Sequence, residues 1–527
     1  MTYWGALFGK PIRITIPPEF ANEAALLAYL GLGPNELKKI WYFRARMYRH
    51  FSIAKAQNKV RLISAPDERL KFLQHKIAEK LTDLYRPRKQ VHGFVAGKSV
   101  KTNALAHLGR RFVVNIDLKD FFPTITQKRV AGLLLSLGLD NQVTTLIAHI
   151  CCNDGNLPQG APSSPVISNM ICFRLDKKLL GIAKEARCVY TRYADDITFS
   201  SHQPPTALFE VALPPAGRFS PDLFTPKLLE VFQQNGVAIN PNKTHYADRN
   251  SRRIVTGLKI NELVNVDRRF VRNIRAALHA VEAQGIVEAQ KTFQEKYGGS
   301  SLVAHLQGKI SFLSHIRGQS DPVVRSVTLR FNKCFPKHLI KVTPTPSEIR
   351  DRSAWVIEDK NGDVVQGTAF FLKDIGLVTA AHCVEPNTEF QIYHPSKPAN
   401  KFAVRVKKKC THRDLALLEH EIPATEFFEL ARSLNAASQG DQLTAVGYPC
   451  FGPGDGVNTR LGTVSSLPVK RDVKLIEVTQ TLTQGMSGGP LLDANNGVVG
   501  VIHKGGPEEG RNFAIAIEVL SEWIESS

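Results

Sequence analysis

The chain has 527 residues, too many for one hydrophobic core, and with 43% apolar and 22% charged residues it is neither disordered nor fibrous. Its net charge of +20 is unevenly spread: residues 1–350 carry 51 Lys+Arg against 26 Asp+Glu, whereas residues 351–527 carry 17 against 22. A cationic front part is the usual footprint of phosphate binding, and the anionic rear part must meet a different partner. Eight cysteines include no Cys-x-x-Cys pair, which excludes a zinc ribbon or a dithiol redox motif. Pro11, Pro17 and Pro18 interrupt the N-terminus and no apolar run reaches spanning length. A soluble protein of a reducing, intracellular compartment with no membrane partner is expected.

In chain order, residues 21–110 read mostly as helix, with an amphipathic stretch at Leu70–Leu84. Val113–Asp117 is a short apolar strand that ends in an acid. A helix-like segment, Arg129–Ile150, leads into the turn-rich Asn153–Pro165, and a further helix, Val166–Lys184, precedes a hairpin around Tyr193–Asp196. Six prolines within His202–Pro226 predict an irregular insertion loop. From Phe270 the apolar positions 270, 274, 278 and 281 mark one helical face, and Arg268, Arg272 and Arg275 form a second stripe. Alone, that stripe is a solvated face; beside a nucleic-acid site it becomes a phosphate-tracking surface. The Pro- and Thr-rich stretch 336–352, where the charge changes sign, reads as a linker. Beyond it, Gly367–Leu372, Ile375–Thr379, Phe402–Val406, Leu415–Leu418, Gln442–Val446 and Val498–Ile502 recur with turns between, as in an all-β sandwich or barrel.

Asp117 and Tyr193-Ala194-Asp195-Asp196 make a carboxylate set suited to phosphodiester synthesis. That reaction uses two divalent ions about 3.5–4 Å apart. Mg²⁺ takes hard oxygen ligands, so a few carboxylates from different strands suffice. Neighbouring side chains of an extended chain face opposite ways, so Asp117 and Asp195 are expected as main ligands, with Asp196 secondary. Asn115-Ile116-Asp117-Leu118-Lys119-Asp120-Phe121-Phe122 precedes this turn, and Leu157-Pro158-Gln159-Gly160-Ala161-Pro162-Ser163-Ser164-Pro165 stands between the two.

The ordered trio resembles the palm of reverse transcriptases, over about residues 1–335, and implies an α+β right-hand polymerase of fingers, palm and thumb, the thumb from about 265. The resemblance makes Phe122 the side chain that excludes a ribose 2′-hydroxyl. Gln159 and Gly160 would contact nucleotide and template, Lys59 and Arg61 would hold the triphosphate, and Lys243 would protonate the departing pyrophosphate. Asn103-Ala104-Leu105-Ala106-His107 and Val255-Thr256-Gly257-Leu258 look like the paired motifs of retron reverse transcriptases, which group II intron enzymes lack. Those motifs, with Arg268, Arg272 and Arg275, are the expected RNA contacts. The resemblance implies a cognate structured non-coding RNA, dNTPs and two Mg²⁺ ions. Its product would be a branched RNA–DNA hybrid begun at a guanosine 2′-hydroxyl, in the bacterial cytoplasm.

A second set belongs to acyl transfer, which needs an oriented imidazole, an acid behind it and donors for an oxyanion. Thr379-Ala380-Ala381-His382-Cys383 supplies the base, Asp414-Leu415-Ala416-Leu417-Leu418 the acid, and Gly485-Met486-Ser487-Gly488-Gly489-Pro490 the nucleophile, with the Gly485 and Ser487 N–H groups as donors. Their order and contexts resemble the trypsin-like serine proteases across about 353–527, implying a double β-barrel that needs no cofactor. No cysteine lies between Cys334 and Cys383, so the disulfide partner that secreted relatives carry near Gly367 is absent. Fusion at its N-terminus makes conformational control of the peptidase the expectation. Thr481 argues against a preference for basic side chains, and His503 resembles the histidine with which glutamyl-endopeptidases bind an acidic or glutamine side chain; a one-residue slip in register would turn it to the other face.

The reading is a retron protein whose reverse transcriptase makes a hybrid and whose fused peptidase, acting on an unknown protein substrate, is an effector against phage. A viral polymerase–protease replicase competes with it, although such chains usually place the protease first and carry Gly-Asp-Asp. A group II intron-like enzyme with an accessory protease and a non-enzymatic RNA scaffold are further alternatives. The RNA, the protease target, the trigger and the oligomeric state are not legible.

Overall fold

A computed structural model describes residues 15–54, 60–299, 301–359, 366–385, 389–452, 454–504 and 510–526. The chain divides into two compact units, Met1–Lys341 and Val342–Ser527.

The first unit opens with helices α1 (Glu23–Leu30) and α2 (Pro34–Phe43). A hairpin then follows where helix was expected: β1 (Tyr48–Ala54) pairs antiparallel with β2 (Val60–Pro66). Helix α3 (Glu68–Leu84) starts at an N-cap, the Asp67 carboxylate accepting from the Leu70 N–H, and buries Leu70, Leu73, Ile77 and Leu81 at helical spacing. After α4 (Val100–Leu105) comes the central strand β3 (Phe112–Lys119). The segment read as one helix from 129 to 150 is two, α5 (Gln127–Ser136) and α6 (Asn141–Cys151), parted at Gly138 (φ +94°). Likewise α7 (Ser164–Ile171) and α8 (Phe173–Glu185) replace a single helix. Strands β4 (Val189–Tyr193) and β5 (Asp196–Ser201) form the anticipated hairpin.

The stretch 202–226 is better ordered than an irregular loop. Its strand β6 (Gly217–Arg218) joins the edge of the main sheet, and Phe209, Phe219 and Phe224 pack together with ring centroids 5.2–5.5 Å apart, two of the three pairs edge-on. Each buried ring is worth about 1.5–3 kcal/mol, enough to hold a proline-rich segment in place. Helix α9 (Pro226–Gln234) leads to β7 (Ala238–Ile239) and β8 (His245–Ala247), completing a sheet of order β4-β5-β3-β8-β6 with β7 also on β3. A small hairpin, β9 (Ile254–Val255) and β10 (Leu258–Lys259), precedes four helices, α10 (Arg268–Gln284), α11 (Ile286–Tyr297), α12 (Leu302–Arg317) and α13 (Pro322–Cys334). On α10, Ile274, Leu278 and Val281 are buried in one cluster with Leu306, Ile310, Leu313, Val327 and Phe331. Phe270 is only half-buried, against Phe312.

The second unit begins with α14 (Pro346–Ser353), inside the stretch read as linker. A closed barrel then runs β11 (Ala354–Asp359), β12 (Gln366–Leu372), β13 (Gly376–Thr379), β16 (Leu415–His420), β15 (Phe402–Cys410), β14 (Glu389–Tyr393). A second sheet runs β18 (Asn458–Ser466), β17 (Gln442–Gly447), β21 (Pro490–Leu492), β22 (Val498–Lys504), β23 (Asn512–Ala516), β20 (Val473–Val478), β19 (Val469–Lys470). Pairing of β18 with β20 closes it. The terminal helix α15 (Ile517–Glu525) packs Val519, Leu520 and Trp523 into the core. The architecture is a mixed α/β polymerase unit followed by two antiparallel barrels. No described helix is long and apolar enough to cross a membrane.

Under the β4–β5 turn lies a buried ion pair. The Arg192 guanidinium meets Asp176 through Nε to Oδ1 (2.7 Å) and Nη2 to Oδ2 (2.8 Å), both side chains at most 1% exposed. Tyr190 donates to the same carboxylate, while Arg192 also donates to Asn169 and to the Ala194 carbonyl. Removing one partner of such a pair strands the other's charge in a dry interior. Asp176→Asn is therefore expected to cost about 3–5 kcal/mol, read as a lower urea midpoint for unfolding of the first unit.

Candidate active sites

In the main sheet the register sets Asp117, near the end of β3, directly opposite Asp196, the first residue of β5. Cross-strand partners carry their side chains on one face, so it is Asp196, rather than Asp195, that shares the face of Asp117. Asp195 occupies the turn, where its carbonyl accepts from the Leu118 N–H (3.0 Å). Beside this cluster Ala194 and Asp120 both adopt positive φ (+55° and +46°), conformations that cost non-glycine residues energy. Burial, then the like charges of Asp195 and Asp117, push the Asp196 carboxyl up to about 7, with Lys243 opposing. Three carboxylates crowded together, with the Asp196 carboxyl resisting ionisation, suit a divalent cation, and Asp117, Asp195 and Asp196 are the residues that would hold one.

Lys243 lies on this cluster: its ammonium contacts Asp117 Oδ2 at 2.5 Å. Asn240, which sequence reasoning passed over, donates from Nδ2 to Asp117 Oδ1 (2.9 Å), and its backbone N–H donates to the Asp117 carbonyl. The Asn-Pro-Asn-Lys run at 240–243 was the only available signal, and it reads as an ordinary turn. Phe122 is half-buried, with its ring against the core residue Phe121 (5.3 Å). The Gln159 carbonyl accepts from the Ser64 N–H (2.9 Å), tying the Gln159–Gly160 turn to β2. Lys59 lies outside the described residues, and of Arg61 only the backbone, in β2, is described.

The paired motifs at 103–107 and 255–258 prove to be a joint inside the fold. Asn103, His107 and Val255 are buried (1%, 0% and 0% exposed), which corrects their expected role as RNA contacts. His107 bonds Ser200 (2.6 Å) and Thr191 (2.7 Å), and burial, with help from His92 and Arg110, holds its imidazole neutral at about 3. Thr256 and Gly257, both at positive φ, are the turn of the β9–β10 hairpin, and Asn103 Nδ2 reaches Thr256 Oγ1 at 3.4 Å. Arg268, Arg272 and Arg275 are exposed along α10.

In the second unit His382, Asp414 and Ser487 converge from three separate segments. Asp414 (φ +52°) accepts from the His382 backbone N–H (2.9 Å) through Oδ1 and meets His382 Nδ1 (2.7 Å) through Oδ2. The same Oδ2 also meets Nδ1 of His503 at 2.5 Å. A bulge between Ile502 and Lys504 aims His503 at the acid. His503 thus belongs to the triad's support, which corrects the substrate-pocket role suggested by its neighbours in sequence. Burial opposes ionisation of both groups, but the hydrogen bonds between them outweigh it, raising His382 and lowering Asp414.

Ser487 is held through its backbone: its carbonyl accepts from the Thr368 N–H (2.9 Å) and the Cys383 thiol (3.5 Å). Among the described residues no hydrogen bond joins the Ser487 hydroxyl to His382, and no acceptor engages the Gly485 or Ser487 N–H. Gly488 (φ +79°) admits no side chain, since a Cβ there would lie 2.2 Å from Thr379 Oγ1. Cys383 is a free, buried thiol packed against Gly367. Thr481 is exposed, and its carbonyl accepts from Arg460 (2.6 Å).

Comparison with known proteins accords with this geometry. The family described as reverse transcriptase (RNA-dependent DNA polymerase) matches residues 53–260, and the trypsin-like peptidase domain matches residues 367–501. The retron Ec86 reverse transcriptase of Escherichia coli is 31% identical over 312 residues, spanning 59% of this chain and 89% of that protein. The chain belongs to the retron reverse transcriptases. The retron Mx162 reverse transcriptase of Myxococcus xanthus is 36% identical, across 50% of this chain; the alignment spans only 59% of that relative's length. A solved structure of the Rv3671c protease from M. tuberculosis, in its active form, is 20% identical, covering 34% of this chain and 86% of that one with a TM-score of 0.29. By its two family matches the retron chain joins a reverse transcriptase domain, of a kind that depends on divalent metal, to a trypsin-like serine peptidase domain.

Two expectations follow. Asp196→Asn abolishes nucleotide incorporation, yet raises the thermal midpoint of metal-free protein at pH 8 by a few degrees. Ionising a carboxyl whose pKa is raised destabilises the fold above the ordinary range, so the gain shrinks as pH falls from about 7 towards 4. For the peptidase, labelling of Ser487 by a fluorophosphonate should rise with pH with a midpoint above the ordinary imidazole value of about 6.5, because His382 must lose its proton first. Asp414→Asn should slow that labelling about 10⁴-fold.

Proposed function

We propose that this retron protein copies a cognate structured RNA into a branched RNA–DNA hybrid, and that its peptidase domain is the effector of a defence against phage. The observation that carries the polymerase reading is the cross-strand pairing of Asp117 with Asp196 beside Asp195. Two Mg²⁺ ions, held by these three carboxylates, would lower the pKa of the priming hydroxyl and neutralise the triphosphate. The residues do the rest. Phe122 bounds the sugar site, the Gln159–Gly160 turn meets nucleotide and template, and Arg268, Arg272 and Arg275 track phosphates along α10. Thr256 and Gly257 contribute a turn whose other face is open to RNA. Lys243, which contacts Asp117, would give a proton to departing pyrophosphate. The priming hydroxyl attacks the α-phosphorus, one phosphoester bond forms, and the bond to pyrophosphate breaks.

In the peptidase, His382 takes the Ser487 proton as Oγ attacks a substrate carbonyl, and the Gly485 and Ser487 N–H groups receive the oxyanion. His382 then protonates the leaving amine. The protein substrate is unassigned. The polymerase's positive charge and the peptidase's negative charge support separate partners, nucleic acid for one and protein for the other. The proposed logic is a guard in the bacterial cytoplasm: an intact hybrid restrains the peptidase, and infection that disturbs the hybrid releases it.

Sequencing nucleic acid that co-purifies with the protein tests the first half, and a covalent 2′-branched RNA–DNA species is the expected result. Phage challenge tests the second. Ser487→Ala should abolish protection while retaining the hybrid, whereas Asp195→Asn and Asp196→Asn, which make no hybrid, should free the peptidase without phage and slow growth unless combined with Ser487→Ala. Full protection by Ser487→Ala would remove the effector role.

A further inference from the structure

Phe94 occupies a place that no catalytic assignment accounts for. Residues 90–93 run alongside β4: the Arg192 N–H donates to the Gln90 carbonyl (3.0 Å), and the His92 N–H donates to the Arg192 carbonyl (2.8 Å). Asn169 Nδ2 donates to the Gly93 carbonyl (2.9 Å). This brings the backbone at Gly93 against the catalytic turn so closely that a Cβ there would lie 2.3 Å from the Ala194 nitrogen. The next residue is therefore delivered to the edge of the acid cluster.

That residue is a phenylalanine at φ +58°, with 46% of its surface exposed. The left-handed conformation costs a side-chain-bearing residue on the order of 1–2 kcal/mol, and glycine would avoid that cost. An aromatic ring left half in water gains little burial to offset it. Its one ring contact among the described residues is Phe122, at a centroid distance of 6.3 Å and an interplanar angle of 49°. Phe122 in turn leans on Phe121, which is buried in the core. The sugar-site ring thus has two aromatic neighbours, the core ring of Phe121 and the half-exposed ring of Phe94.

We propose that Phe94 is a positioning residue for deoxynucleotide selection: it braces Phe122 so that its ring stays where a ribose 2′-hydroxyl would have to fit. The proposal rests on the reading of Phe122 as the sugar-excluding side chain. Without Phe94, Phe122 has an open side into which its ring rotates, and a ribonucleoside triphosphate is admitted.

The test is single-nucleotide incorporation of dGTP and of GTP on a primer–template in Mg²⁺ buffer, comparing kcat/KM for the two. Phe94→Gly relaxes the backbone at φ +58°, so misfolding does not explain its result. An aromatic pair is worth about 0.5–1.5 kcal/mol, so Phe94→Gly should lower the dGTP-over-GTP ratio roughly two- to twelvefold, through a lower KM for GTP. Phe94→Tyr, which keeps the ring, should restore the ratio to within about twofold of the wild-type value, the scale of a change below 0.5 kcal/mol. A parallel loss on both nucleotides with an unchanged ratio would be a structural effect only and would overturn the proposal. Phe122→Ala separates the two layers. If it lowers the ratio and Phe94→Gly does not, the bracing role alone is wrong. If Phe122→Ala leaves the ratio unchanged, the sugar-site reading fails and the proposal with it.

Discussion

Three carboxylates are forced together where β3 meets the β4–β5 turn, and the polymerase unit is organised around tolerating that repulsion. Asp117 and Asp196 share a face because the strands pair in that register, and Asp195 adds its charge from the turn. Nothing in the three groups favours their proximity. It is imposed by the sheet, whose central strand buries Val113, Val114, Ile116 and Leu118. Beneath the turn the Arg192–Asp176 pair also grips the Ala194 carbonyl, so a fully desolvated ion pair anchors the segment that must resist being pushed apart. Lys243 and Asn240 occupy both oxygens of Asp117 and take up part of the charge. A buried pair of this kind adds little to stability relative to apolar packing, and its value lies in the geometry it enforces.

The peptidase unit handles a single carboxylate in a different way. Asp414 is ringed by donors, two imidazoles and a backbone N–H, and stays ionised in a partly desolvated site. Where the polymerase stores repulsion that a cation would relieve, the peptidase stores attraction that keeps one imidazole oriented. Both sites hold a non-glycine residue in the left-handed region, Ala194 and Asp120 in one and Asp414 in the other. Such conformations persist only where surrounding hydrogen bonds over-determine them.

Much of this was legible because catalysis constrains local sequence. Acid-bearing strand ends, a Gly-x-Ser-Gly-Gly turn and a His-Cys after Ala-Ala carry their chemistry within a few residues, and the alternation of short apolar runs with turns marked the barrels. The misreadings have a common cause. The β1–β2 hairpin lies in a run of basic and aromatic residues without clean alternation, and only pairing across the tip makes it a sheet. The prolines of 202–226 pointed to an irregular insertion loop, whereas three phenylalanines in the same stretch find one another only once the chain has folded. Asn103 and His107 are polar, so their sequence gave no hint that one faces Thr256 and the other lies between two strands.

By itself the sequence determined the two chemistries, the order of the domains and the identity of the reactive groups, because those depend on residue type and near-neighbour spacing. Only the tertiary structure decided which acid stands opposite Asp117, that His503 serves the triad's carboxylate, and that the paired motifs form an internal joint. The physical reason is strand register. A shift of one residue reverses every side chain's face, and register is set by packing and hydrogen bonds between segments far apart in the chain. At His503 a single bulge makes that choice, and at Asp196 the pairing of β3 with β5 makes it.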